Sequence, residues 1–270
     1  MSRAWIVLLL AGCASEESGA EAEAEAEAEA EAEAEAEAEA EGEDCVALDE
    51  VVSFDTDDDV TLEADLRSIA QADGPAAVLL HMIPPGNNRT NYPSQFIDAL
   101  YDLGITVLNV DRRGAGGSGG AAMDAYQGPQ GALDAKAAVD HLAALACPPD
   151  PSRIAIVGAS NGTTTALDYA VLAAASARPA PAALVFLTGG TYTENNNTVD
   201  THRATLEAIP ILFEFASDEA IWSSQFVAGA PTGWNFDERT VAPGSGHGTH
   251  MFSADPASID FVAGYLGDTL

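Results

Sequence analysis

The chain has 270 residues, 43 acidic and ten basic, for a formal net charge of −33, and 47% of it is hydrophobic. Residues 1–44 hold 15 of the acids and one base, so residues 45–270 still carry 28 acids against nine bases, net −19. That balance excludes a phosphate-backbone partner, which needs clustered Lys and Arg; three cysteines are too few for a disulfide scaffold or a four-thiolate zinc site, and the length suits one large domain.

The first elements are not part of that domain. Arg3 is a short basic start, and Ala4–Gly12 is an apolar run too short to span a bilayer. It ends in Leu10-Ala11-Gly12-Cys13, which resembles the lipobox of bacterial lipoproteins. The resemblance implies cleavage before Cys13, a diacylglycerol thioether on Cys13 and, after N-acylation, enough chains for stable anchoring. Ala14 rather than Asp at the next position favours the outer membrane. The alternative is an ordinary signal peptide in which the cysteine is a coincidence. Residues 20–41 alternate Ala and Glu strictly. Alternation sets every i,i+4 Glu pair in repulsion and leaves no apolar face at helical period. We read a solvated tether, giving three parts: 1–12 signal peptide, 13–44 acidic tether, 45–270 globular domain.

Beyond residue 45 strand-like and helix-like runs alternate, which predicts an α/β fold with crossover helices. Expected strands are Val51–Phe54, Thr61–Ser68, Ala77–Met82, Ile105–Val110, Arg153–Val157, Ala183–Leu187, Ile209–Phe215 and Trp234–Val241. Expected helices are Pro93–Leu103, Gln130–Ala146, Asn161–Ala175, Glu219–Gly229 and Asp255–Leu266. Nearly unbroken apolar strands are those of a parallel sheet covered on both faces. The Asp-rich turn at 55–59 fails as an EF-hand, because Val60 and Leu66 stand where that loop needs Gly and Glu; it reads as a solvated hairpin turn.

The pattern G-x-S-x-G occurs twice, around Ser118 and around Ser160. Ser160 follows an expected strand at once and opens an expected helix at once. That junction holds a serine in strained dihedrals with its hydroxyl exposed, and small neighbours let backbone pass close by. Ser118 lies eight residues past its strand with no helix following, so it reads as loop. A serine hydroxyl needs an imidazole to take its proton, and the imidazole needs a carboxylate to fix its tautomer. His247 sits in Pro243-Gly244-Ser245-Gly246-His247-Gly248, between the last strand and last helix, where a loop can reach the carboxyl ends of the strands. His250 is the rival. His141 reads as surface or packing, His81 as structural and His202 as solvent-facing. Asp218, just past the strand Ile209–Phe215, is the expected carboxylate; Glu219 is its substitute, and Asp237 and Asp200 are more distant. The backbone N–H of Asn161, at a helix N-terminus, is the expected first oxyanion donor.

With those residues in hand the chain resembles the α/β-hydrolase family over residues 51–268, in its dienelactone-hydrolase-like and esterase branch, with Ser where true dienelactone hydrolases carry Cys. Leu79-Leu80-His81-Met82-Ile83-Pro84-Pro85-Gly86 is similar to the family's His-Gly oxyanion loop, with Met82 where Gly is usual. Pro cannot donate, so Ile83 is the expected second donor and Met82 the next. Asp111-Arg112-Arg113-Gly114-Ala115-Gly116-Gly117-Ser118 is similar to its Asp-x-Arg-Gly-x-Gly-x-Ser loop, and Ser160, Asp218 and His247 keep its chain order. The resemblance implies one domain of about eight mostly parallel strands and a minimal lid, since little chain separates the strands at 183–187 and 209–215.

The implied activity is serine hydrolysis of carboxylic esters through an acyl-enzyme, by an exported, lipid-anchored protein. Peptidase or acyltransferase activity on the same triad, or a catalytically silent binding role, remains as an alternative. The substrate would be a small ester or acyl compound. No cofactor and no metal are expected: His247-x-x-His250 lacks the helix and third ligand of a zinc site. Gly114-x-Gly116-x-x-Gly119 satisfies a dinucleotide fingerprint but opens no helix. Tyr92, Tyr192, Trp222 and Trp234 are core or pocket. Cys45 and Cys147 fall, in that topology, on the face opposite the catalytic rim. They are either a disulfide that ties the tether junction to the core or two unrelated thiols, the obstacle being the lateral distance between strands one and five.

Overall fold

A computed structural model describes residues 45–127, 129–192, 197–226 and 236–270. The expectations for residues 1–44 (signal peptide, Cys13, tether) lie outside them, as does Trp234. Among the described residues no helix is long and apolar enough to cross a membrane.

Eight strands form one sheet: β1 (Leu48–Asp55), β2 (Thr61–Ser68), β3 (Ala76–Leu80), β4 (Thr106–Asp111), β5 (Ile154–Ala159), β6 (Ala183–Leu187), β7 (Ile211–Ala216) and β8 (Phe236–Val241). Their order is β1-β2-β4-β3-β5-β6-β7-β8. β2 pairs antiparallel with both β1 and β4, and the other neighbours run parallel. The helices are α1 (Ser94–Asp102), α2 (Gln130–Ala143), α3 (Gly162–Ala175), α4 (Arg203–Leu206), α5 (Ala220–Phe226), α6 (His250–Ala254) and α7 (Ala257–Thr269).

The period-2 geometry of a strand explains the unbroken apolar runs. In β3, Ala76, Val78 and Leu80 enter the core shared with α2 and α3, while Ala77 and Leu79 enter the core shared with α1 and α7. β5 divides likewise: Ile154 and Ile156 go one way, Ala155, Val157 and Ala159 the other. Each fully buried Leu, Ile, Val or Phe contributes about 1.5–3 kcal/mol, so both helical layers are needed to hold the sheet. Tyr92 belongs to this core and not to a pocket. It is buried, its hydroxyl donates to the carbonyls of Leu80 (3.2 Å) and Val157 (3.1 Å), and its ring stacks on Phe96.

The Asp-rich turn is less bland than expected. Thr56 closes it by accepting from the Val60 N–H, while Lys136 donates to Asp57 and Arg113 grips Asp58 at 2.8 and 3.0 Å. The Arg113 hydrogen bonds hold the Asp58 carboxyl down, to about 2. Arg113 is itself buried and donates to the buried Asp134 from both Nε and its backbone N–H.

Cys45 and Cys147 are joined, with Cα atoms 5.7 Å apart. The lateral obstacle vanishes because Cys147 follows α2 and not β5 itself. α2 crosses the sheet face as far as β1, where His141 stacks on Phe54 at 4.7 Å. The bond spans 102 residues, and in the chain-entropy model such a loop is worth about 4.7 kcal/mol.

The strand order reverses at β3. Its crossover to β4 goes one way and the next strand, β5, lies on the other side. In open α/β sheets the crevice beyond the carboxyl ends at such a point is where ligands bind. The segments leaving β3 and β5 there are the His81 loop and the Ser160 turn.

Candidate active site

Ser160 sits between β5 and α3 with φ +50°, a left-handed conformation that a non-glycine residue avoids. Its N–H donates to the Leu187 carbonyl (2.8 Å) and its carbonyl accepts from Thr163 (2.9 Å), so both sides of the turn are pinned. The flanking glycines are steric necessities. A Cβ on Gly162 would lie 2.3 Å from the Leu80 carbonyl oxygen, and one on Gly158 would lie 2.5 Å from that of Gly162. The turn is tight because α3 starts directly against the end of β3.

His247 Nε2 lies 2.7 Å from Ser160 Oγ, and Nδ1 lies 2.8 Å from Glu219 Oε2. A carboxylate only accepts, so Nδ1 carries the proton and Nε2 accepts from the Ser160 hydroxyl. The carboxylate expectation is corrected here: Glu219, not Asp218, meets the imidazole. The residues after β7 form a 3₁₀ turn, Ser217–Glu219, whose 120° step sends neighbouring side chains apart. Asp218 turns to the histidine loop and accepts from the Gly244 N–H at 3.0 and 3.1 Å. The two acids thus divide the work, one holding the ring and the other the loop that carries it.

The loop also rests on Thr188, another residue with positive φ (+52°), whose Oγ1 accepts from the Gly248 N–H at 3.0 Å. Gly248, at φ +56°, allows this approach; a Cβ there would lie 2.8 Å from Met82 Sδ. Sequence reasoning missed Thr188: Gly189-Gly190 marks a turn there, but a threonine ahead of it does not signal a left-handed conformation. His250, the rival base, is exposed at the start of α6 and donates its backbone N–H to the His247 carbonyl. One wall of the site is aromatic. Tyr192 packs on Trp222 at 4.9 Å and edge-on to His247 at 5.6 Å, its hydroxyl donating to the Thr188 carbonyl. Burial pushes the Tyr192 phenol up, so it stays a neutral donor. Between β6 and β7 the described residues hold one 3₁₀ turn and the four-residue α4, with no cap domain.

Among the described residues the backbone N–H groups of Asn161, Met82 and Ile83 have no partner. Asn161 precedes the 14-residue α3, whose dipole favours negative charge at that end. His81 is buried beneath the loop: its Nδ1 donates to the Met82 carbonyl (2.7 Å) and its Nε2 accepts from the Arg112 N–H (2.9 Å). Burial, aided by the Arg112 charge, drives His81 down to about 3, so the ring is neutral.

The second G-x-S-x-G is a closed turn. Ser118 Oγ donates to the Asp111 carbonyl (2.6 Å) and accepts from the Glu63 N–H (2.9 Å). The glycine-loop amides are spent internally, Gly114 on Gly119, Gly117 on the Asp111 carboxylate and Gly119 on Thr61. Three amides of this loop are thus unavailable to a dinucleotide phosphate, and no helix opens on the glycines. Among the described residues no cluster of His, Cys, Asp or Glu could hold a metal ion.

The sequence profile of the family described as "Serine aminopeptidase, S33" (Hydrolase_4) matches residues 80–222. No curated protein matches the chain in sequence. Among solved structures, a Pyrococcus furiosus esterase superposes with TM-score 0.61 at 18% identity, covering 83% of this chain and 92% of its own. A dienelactone hydrolase from Anabaena variabilis gives 0.54 at 18%, covering 83% and 96%. An alpha-beta hydrolase from Vibrio vulnificus gives 0.56 at 19%, covering 79% and 80%. At these identities the likeness is one of fold. Taken with the profile match, which includes the Ser160 turn and Glu219 but not the His247 loop, it is a likeness with a family attached: the chain belongs to the Hydrolase_4 (serine aminopeptidase, S33) family and is an α/β hydrolase.

Proposed function

We propose that the protein is a serine hydrolase that cleaves carboxylic esters through an acyl-enzyme. The observation that carries this is the strained Ser160 with its hydroxyl 2.7 Å from an imidazole whose other nitrogen is 2.8 Å from Glu219. Ser160 Oγ attacks the ester carbonyl carbon while His247 Nε2 takes its proton. Glu219 stabilises the resulting imidazolium. The carbonyl oxygen, now anionic, accepts from the N–H of Asn161 and from that of Ile83 or Met82. His247 passes its proton to the departing alcohol. Water then attacks the acyl-enzyme, with the histidine again as base, and the acid leaves with Ser160 regenerated.

The site is exported and tethered in this reading. Residues 1–12 are removed as a signal peptide, lipidated Cys13 anchors the chain to the cell envelope, with the outer membrane favoured, and 13–44 hold the enzyme off the surface. A disulfide suits an oxidising compartment. Fluorophosphonate labelling with peptide mapping, followed by a panel of p-nitrophenyl esters, lactones and aminoacyl amides, tests the chemistry. Labelling at Ser160 with ester turnover is the expected result. Turnover confined to the amides would move the protein to the peptidase activity that the family's description names. Labelling absent at Ser160 would end the reading.

A further inference from the structure

Arg112 is buried, yet no carboxylate hydrogen-bonds to it among the described residues. Its neighbour Arg113 takes both Asp58 and Asp134. All of Arg112's partners are neutral, and they lie on three segments. Nη1 donates to the carbonyls of His81 (3.2 Å) and Met82 (3.4 Å). Nη2 donates to Asn161 Oδ1 (3.0 Å), Thr165 Oγ1 (2.7 Å) and the Ala125 carbonyl (2.7 Å). Asp134 and Asp168 act on it only through space, and a buried charge with no carboxylate in contact is costly, so its place needs a reason.

Peptide planarity supplies one. In a trans peptide the C=O of one residue and the N–H of the next point in opposite directions, and among the described residues only Pro84–Pro85 is cis. Turning the His81 and Met82 carbonyls towards the guanidinium therefore turns the N–H groups of Met82 and Ile83 away from it, and those are the ones left without partners. The same guanidinium holds the side chain of Asn161, whose backbone N–H is the donor on the other side. We propose that Arg112 is the positioning residue of the oxyanion site. One planar guanidinium, through its Nη1 and Nη2 groups, ties the β3 loop to the first turn of α3 and sets the spacing of donors that come from two different elements. Lysine cannot substitute, because one ammonium has neither the fork nor the reach. This inference rests on the serine-hydrolase reading above.

The test compares Arg112→Lys and Arg112→Gln with the wild-type chain, using p-nitrophenyl butyrate turnover, inhibition by phenylboronic acid and thermal unfolding. The boronate forms a tetrahedral anion on the serine and so reports the oxyanion donors without turnover. Both variants should lose about 100-fold in kcat, in the range for loss of one oxyanion donor, with KM changed less than about threefold. The boronate inhibition constant should rise in parallel with the loss in kcat. Wild-type kcat and boronate affinity in folded Arg112→Gln would overturn the inference, and full recovery in Arg112→Lys would replace positioning with charge alone. If neither variant folds, Asn161→Ala and Thr165→Val decide: each removes one anchor of the guanidinium and keeps the backbone donors. A several-fold parallel loss in kcat and boronate affinity is expected, and no change in either would overturn the inference. Should the wild type itself neither turn over ester nor bind boronate, the hydrolase reading fails, and this inference with it.

Discussion

Two turns of this chain satisfy the same five-residue pattern, and only the one at Ser160 brings its hydroxyl to an imidazole. Around Ser118 the chain leaves β4 and folds back on itself, so the hydroxyl is used twice, as donor to Asp111 and acceptor from Glu63. Around Ser160 the chain passes from strand to helix without a spare residue. The serine is driven to φ +50° and its hydroxyl meets an imidazole. The difference teaches that the glycines are not the signal. They permit close approach in both turns; what exposes a reactive hydroxyl is a strand and a helix meeting at the switch point of a parallel sheet.

The widest separation between the two turns should come from removing each hydroxyl. Ser160→Ala is expected to lose roughly 10⁴–10⁶-fold in kcat for p-nitrophenyl esters, with an unfolding midpoint close to wild type. Steady-state kinetics on the purified chain measures this, and retention of even a tenth of wild-type turnover would remove Ser160 from its role. Around the reactive turn, the paired acids give the next contrast. Glu219→Gln keeps a hydrogen-bonding side chain but loses the charge and the preferred tautomer, and should cost about 10²–10⁴-fold in kcat. Asp218→Asn loosens only the grip on Gly244 and should cost less than about tenfold. The reverse order would return the triad carboxylate to Asp218.

A third contrast is one of pH. His81, behind the reactive turn, is buried and pushed down to about 3 from an ordinary 6.5. Between those values the unfolded chain binds a proton that the folded chain refuses. This contribution to stability is therefore fully present above about pH 6.5 and is lost as pH falls towards 3, on the order of several kcal/mol in total. Urea titrations from pH 7 to pH 4 should show a steeper fall for wild type than for His81→Asn; parallel curves would contradict it. The smallest effect belongs to the closed turn. Ser118→Ala should leave kcat within about twofold and cost about 1–2 kcal/mol for the lost hydrogen bonds. That is a lowering of Tm by roughly 2–8 °C in a domain of this size, and a fall in kcat beyond tenfold would break the comparison.

Much of this architecture is written locally. Apolar runs, alternating in β2 and nearly unbroken in β3 through β7, mark those strands to within about two residues, and Gly158-Ala159-Ser160-Asn161-Gly162 marks the strand–helix junction, because both signals depend only on residues adjacent in the chain. The histidine was legible too, since only His247 and its rival His250 follow the last strand and His247 is the one flanked by glycines. The same reading went astray where the answer depends on direction in space. Asp218 and Glu219 are chemically equivalent in sequence, and the 3₁₀ turn after β7 decided between them. Arg112 and Arg113 are adjacent and identical in type. One faces two carboxylates and the other faces carbonyls, because consecutive side chains leave the end of β4 in opposite directions. The Cys45–Cys147 bond was undecidable from strand order, since the path of α2 across the sheet brings the second cysteine home. What the sequence determined by itself is what short-range periodicity and glycine sterics can encode. What the tertiary structure decided is which of two equally suitable neighbours points at the site, a choice made by long-range packing.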